Sequence, residues 1–117
     1  MFTSELVIKR PTGSKNRYEL VMPLVWQDDS FMIMVPAGFC YDGASVPKAL
    51  SSFIPRFGGC YDRASALHDY LYSHGRISRT DSDKIFYEAL RSDKVCWVQA
   101  KIMYFAVRFF GKKHYKG

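Results

Sequence analysis

Cysteine is scarce and poorly placed for pairing. Cys40, Cys60 and Cys96 are odd in number and form no C-x-x-C pair. That excludes a zinc knuckle and speaks against a disulfide framework and for a reducing compartment. Histidine is equally sparse: His68, His74 and His114. A metal phosphohydrolase of the two-His, two-Asp type wants a histidine well upstream of its His-Asp pair, and none precedes His68. No apolar run approaches the roughly 20 residues that span a bilayer, so no transmembrane segment is expected. Met1-Phe2-Thr3-Ser4-Glu5 lacks a basic region followed by an apolar run, so no secretory signal is expected either. Acidic residues are outnumbered, 11 against 17 Lys and Arg, for a net charge of +6. The excess permits anionic partners. It is not a strong nucleic-acid signal, because it rests on charge and Lys112-Lys113 alone, and Tyr104, Phe105, Phe109 and Phe110 read as helix packing and not base stacking.

Apolar residues make up 48% of the 117 and aromatics 16%, enough for a core in a single domain over residues 1–117. There are no repeats and no low-complexity segment. Leu6-Val7-Ile8 reads as a short strand, and Pro11 to Asn16 as turn chemistry. Residues 17–26 are rich in strand formers, with Pro23 breaking the ladder at an edge or bulge. Gln27-Asp28-Asp29-Ser30 makes a hairpin loop and residues 31–35 the return strand. Residues 1–37 are therefore a sheet region, 38–59 a loop region, 60–111 a helical region and 112–117 a basic, mobile tail. The fold class is α+β: a small N-terminal antiparallel sheet followed by three helices.

In the loop region, Ser45 is placed to cap a short helix with Pro47 in its first turn. The first long helix covers Asp62 to Tyr72, with Ala64, Leu67 and Leu71 on its apolar stripe, and ends at Gly75 in a left-handed stop. The second opens around residues 78–83, where Thr80 and Asp83 have capping-box spacing, and buries Ile85, Phe86, Ala89 and Leu90. The third covers residues 95–110, apolar on most sides, so Val98, Ile102 and Phe105 should be buried; Gly111 stops it.

The first helix carries an ionisable pair, His68-Asp69, in its middle. Aspartate is a poor mid-helix residue, because its carboxylate competes for backbone hydrogen bonds. One reading is a histidine hydrogen-bonded at a packing seam, with Asp69 in solvent. The other is a base beside a metal ligand or an orienting carboxylate. A thiol nucleophile, Cys40 with His68, needs a thiolate-stabilising site and is the weakest reading. The short link between the first two helices brings Asp83 within reach of His68, so a His68–Asp83 hydrogen bond is expected.

Three motifs now stand together: Gly38-Phe39-x-x-Asp42-x-Ala44-Ser45-Val46-Pro47, His68-Asp69-x-Leu71-Tyr72 and Arg79-x-x-x-Asp83. In combination they resemble a family of small proteins of unknown function found in tailed phages and prophages, over residues 38–111. The resemblance implies a host bacterial cytoplasm, a place in the virion, and other phage structural proteins as partners. It implies no activity. A polar network of His68, Asp69, Asp42 and Asp83, supported by Ser45, Tyr72 and Arg79, would join the loop to the helices of a tail, neck or ejection component.

The helical half also resembles the core of phospholipase A2 proteins, in the compact form of some viral capsids. Carried over residue by residue, His68 is the base, Asp83 its orienter, Asp69 a calcium ligand and Tyr72 a support; Asp42, whose loop has no counterpart in that fold, is a further candidate metal ligand. The glycine-rich calcium loop of that fold has only Gly58-Gly59 as a counterpart. Access separates these readings: a network reached through a cleft favours a metal-dependent hydrolase, a sealed one a scaffold.

Overall fold

The computed structural model describes residues 1–9, 17–42, 62–112 and 115–116. Among the described residues, five strands precede three helices: β1 (Ile8–Lys9), β2 (Arg17–Leu20), β3 (Leu24–Gln27), β4 (Met32–Val35), β5 (Cys40–Asp42), α1 (Asp62–His74), α2 (Arg79–Ser92) and α3 (Trp97–Phe110). The fold is α+β, a small antiparallel sheet region followed by three helices.

Pro23 does more than mark an edge. It ends one strand and lets the next begin in a different sheet: β2 lies between β1 and β5, while β3 pairs with β4. Register in the hairpin follows the two-residue alternation of strand side chains. Leu24 faces Val35 and Trp26 faces Ile33, all four buried, while Val25–Met34 and Gln27–Met32 point away from the core. Residues 40–42, expected to be loop, form β5, paired antiparallel to β2 through Glu19↔Cys40 and Tyr18↔Tyr41. The positive φ of Gly38, +90°, turns the chain into that strand. The N-terminal residues run along β3: Thr3 N–H donates to the Val25 carbonyl at 3.0 Å, and Met1 and Gln27 exchange bonds.

α1 contacts β3 and β5 on one side and α2 on another, and α3 packs against α2. Leu20, Leu24, Trp26, Leu67, Leu71 and Phe86 belong to one buried apolar cluster. Gly75, φ +62°, stops α1 as the sequence suggests. Ser78 caps α2, its hydroxyl accepting from Asp81 N–H at 3.1 Å. Thr80 is already inside the helix, which frees Asp83 from capping. The rotation of α3 corrects the expected burial. Gln99, Ala100, Met103, Ala106 and Val107 face inward, while Val98 is 46% and Phe105 52% exposed, and Ile102 is half-buried. The helix is apolar nearly all round, so its own pattern sets no phase. The tail is tethered in part: Tyr115 donates to the Ile77 carbonyl at 2.6 Å, and Lys116 N–H to the Tyr72 carbonyl at 3.0 Å. No helix among the described residues is long and apolar enough to cross a membrane.

Candidate functional site

Two spacings build the site. His68 and Tyr72 are four apart on α1, and Arg79 and Asp83 four apart on α2, so each pair shares a helix face. The short link between α1 and α2 turns those faces together, and Asp83 becomes the point of convergence. His68 Nε2 lies 2.8 Å from Asp83 Oδ1, and the Tyr72 hydroxyl donates to the same oxygen at 2.5 Å. Arg108, from α3, donates through Nη1 to Oδ2 at 2.8 Å. Sequence reading missed Arg108; it sits in the last turn of an apolar helix, with nothing local to tie it to a carboxylate in α2.

Asp83 is 0% and His68 2% exposed. Burial pushes the Asp83 carboxyl up, but the hydrogen bonds from His68 and Tyr72, with Arg108 beside them, outweigh it and hold the carboxyl below its usual range. Burial first, and then the Asp83 carboxylate, drive the Tyr72 phenol above its ordinary range, so it stays a donor. A buried carboxylate is tolerated only when paired and hydrogen-bonded, and all three donors are supplied by helices. Phe86 closes the other side, its ring 4.6 Å from the His68 ring.

Arg79 is not one of the three donors to Asp83. Its Nη2 donates to the carbonyls of Val107, at 2.9 Å, and of Arg108, at the end of α3. It therefore caps that helix and supports the site by positioning Arg108. Asp69 is half-buried beside His68 in the chain and has an interaction of its own. The backbone of Asp42 closes β5, but its side chain lies outside the described residues, as does Ser45. The expected approach of both to His68 therefore falls outside what is described, and so does the Gly58-Gly59 counterpart of a calcium loop. Cys40 lies on the sheet, its thiol 3.9 Å from Glu19 Oε1 and 3.7 Å from the Gly38 carbonyl oxygen, with no sign of a pairing to His68.

Chemically, the cluster can hold a histidine in one tautomer. If Nε2 carries the proton donated to Asp83, Nδ1 is left as an acceptor, and among the described residues Nδ1 has no hydrogen-bond partner. A calcium ion needs six to eight oxygen ligands. Among the described residues no group of three or more His, Cys, Asp or Glu side chains comes together to hold a metal, and both oxygens of Asp83 are already engaged. Of the carried-over ligand side chains, the described part supplies Asp69 alone.

A relative gives the arrangement a lineage without an activity. The chain is 38% identical over 78 residues to y4jT, an uncharacterized protein of Sinorhizobium fredii, a match covering 66% of this chain and 23% of that protein. The chain thus spans less than a quarter of the length of the curated relative it matches. No solved structure matches it. The model of a family described as protein of unknown function, DUF1353, matches residues 18–107, from β2 through nearly all of α3 and including His68, Tyr72, Arg79 and Asp83. The chain belongs to the DUF1353 family.

Proposed function

We propose that the protein is a small phage-encoded component, either associated with the virion as a tail, neck or ejection part or accessory to its assembly. It works by binding and not by turnover. The observation that carries this reading is the closure of the network: Asp83 is fully buried, and its two oxygens take three donors from α1 and α3. A carboxylate so engaged fastens helices: three of its roughly four acceptor sites are taken by donors from the fold itself. The three sequence motifs, and their resemblance to a phage and prophage family, supply the phage context. The host bacterial cytoplasm and then the particle are the expected locations, and other phage structural proteins the expected partners. The test is an immunoblot of purified particles from the phage or prophage encoding the chain, with deletion of the gene alongside. Presence in particles, or loss of infectious particles on deletion, is expected. Absence from particles together with normal assembly would refute it.

A second reading, a metal-dependent hydrolase with a phospholipase A2-like site, has a specific observation in its favour. His68 meets Asp83 through Nε2 and keeps Nδ1 free of protein partners among the described residues, while Tyr72 shares the same carboxylate. In that reading Nδ1 takes a proton from water and Asp83 holds the ring. Calcium, held by Asp69 and Asp42, would polarise an ester carbonyl when bound. Phospholipid hydrolysis by the wild type in calcium, abolished in His68→Asn and Asp83→Asn, would establish it. No hydrolysis with any divalent metal, with a large loss of melting temperature in Asp83→Asn, leaves the network a fastening.

A further inference from the structure

The outward side of α3 is not polar. At about 100° per residue, Trp97, Val98, Lys101, Phe105 and Phe109 fall within an arc of about 120°, opposite the buried Gln99, Ala100, Met103, Ala106 and Val107. Trp97 is 58% and Phe109 75% exposed, with Val98 and Phe105 somewhat less so at 46% and 52%. Single exposed apolar residues are ordinary on a protein surface. Four large ones on one helix face make a patch that marks an interaction site.

Charge selects among the possible occupants. From residue 97 to 117 the chain carries Lys101, Arg108, Lys112, Lys113 and Lys116 and no aspartate or glutamate. Lys84 of α2 is exposed, and it lines a groove with Tyr87, Glu88, Lys101, Tyr104 and Phe105, about 270 Å³ in volume and mostly apolar in its walls. A second copy of this chain, docked by two-fold symmetry, would set Lys101 and its neighbours against their own counterparts, and like charges across an interface oppose it. An anionic lipid surface satisfies both halves of the pattern. Indole and phenyl rings enter the boundary between headgroups and acyl chains, while ammonium groups meet phosphates. A helix of 14 residues, about 21 Å long, is too short to span a hydrocarbon core of about 30 Å but long enough to lie along its surface.

The geometry points to the outward side of α3 as a docking surface for an anionic phospholipid membrane. Trp97, Phe105 and Phe109 insert, Lys84, Lys101 and Lys112 contact headgroup phosphates, and the groove between α2 and α3 opens beside them. None of these residues belongs to the His68–Asp83 cluster, so the docking surface stands or falls independently of the functional reading above.

Vesicle flotation tests it, with the whole chain and vesicles of phosphatidylcholine and phosphatidylglycerol in equal parts, against phosphatidylcholine alone. The wild type floats with the anionic vesicles, weakly or not at all with the neutral ones, and less as salt is raised. Tryptophan emission moves to the blue on binding, and the change belongs to Trp97, since Trp26 is buried. Phe105→Ser with Phe109→Ser lowers the apparent affinity at least about tenfold, and Lys101→Glu removes the preference for anionic vesicles. Should the double serine variant lose melting temperature, Lys101→Glu and the salt dependence decide. Failure of the wild type to float with anionic vesicles overturns the assignment, as does flotation indifferent to Lys101→Glu and to salt. A dimer that the serine changes dissolve, without vesicle binding, overturns it too, in favour of a second copy of the chain.

Discussion

Asp83 decides more of this molecule than any other single residue. Its carboxylate is the meeting point of donors from α1 and α3, and its burial is tolerable only because they are present. Asp83→Asn keeps the shape but loses the charge that His68, Tyr72 and Arg108 converge on. A loss of about 1–3 kcal/mol is expected, the cost of leaving buried polar groups imperfectly paired, measured by urea unfolding. The acid limb of stability follows from the depressed carboxyl. A group whose pKa is lower folded than unfolded stabilises the fold above the unfolded value, about 3.9 for aspartate. That contribution is lost as pH falls from there through the folded value. Wild-type stability should therefore drop below about pH 4 more steeply than that of Asp83→Asn, in unfolding curves taken across that range. Tyr72→Phe removes one donor and leaves two, so it should cost less than Asp83→Asn, about 1–2 kcal/mol. The sequence made His68 and Asp83 legible as partners, because helix spacing and a short link bring them within reach. It could not supply Arg108, which arrives from a helix whose rotation nothing local dictates.

The helices are held at their ends, and two end positions make opposite predictions. Lys94, just past α2, has φ +68°, a left-handed conformation that glycine adopts freely and a side chain does not. Around it the Val95 N–H reaches back to the Leu90 carbonyl at 3.0 Å. Lys94 is exposed, so Lys94→Gly should remove strain and little else, stabilising the protein by about 0.5–1 kcal/mol in thermal melts. Gly111 ends α3 at φ −82°, so conformational freedom is not what it supplies. It supplies space: a Cβ there would collide with the Val107 carbonyl oxygen and meet the Tyr72 hydroxyl at 3.0 Å. Gly111→Ala should destabilise by about 1–3 kcal/mol as that packing shifts. It should also disturb the Tyr72–Asp83 bond, visible as a change in tyrosine ultraviolet absorption. Gly75 and Gly111 were both readable as stops, but only the packed structure shows that they stop their helices for different reasons.

At the scale of the whole molecule, the helices form successive layers on the sheet: α1 on β3 and β5, α2 on α1, and α3 on α2. Phe86 lies where these layers meet the polar cluster, 2% exposed and against His68. Phe86→Ala should cost about 3–5 kcal/mol, the range for deleting a buried ring, and loosen the His68–Asp83 bond with it, which ring-proton shifts of His68 would register. A second tie crosses the layers far from the site. Arg63 of α1 pairs with Asp93 beyond α2, donates to the Ser4 carbonyl at 3.1 Å and stacks 4.7 Å from the Phe2 ring centre. Nothing in the sequence marks those residues as neighbours.

By itself the sequence determined the three helices, the strands before residue 36, the stops at Gly75 and Gly111 and the helix faces of the His68–Asp83 pair. These depend on periods and turn chemistry that neighbouring residues set locally. Only the tertiary structure decided that Pro23 divides two sheets and that residues 40–42 complete one of them. It alone brought Arg108 to Asp83, and it turned Val98 and Phe105 outward. Strand partners and helix rotation are choices among long-range contacts, and a chain apolar on several sides offers more than one such choice until the whole core is packed.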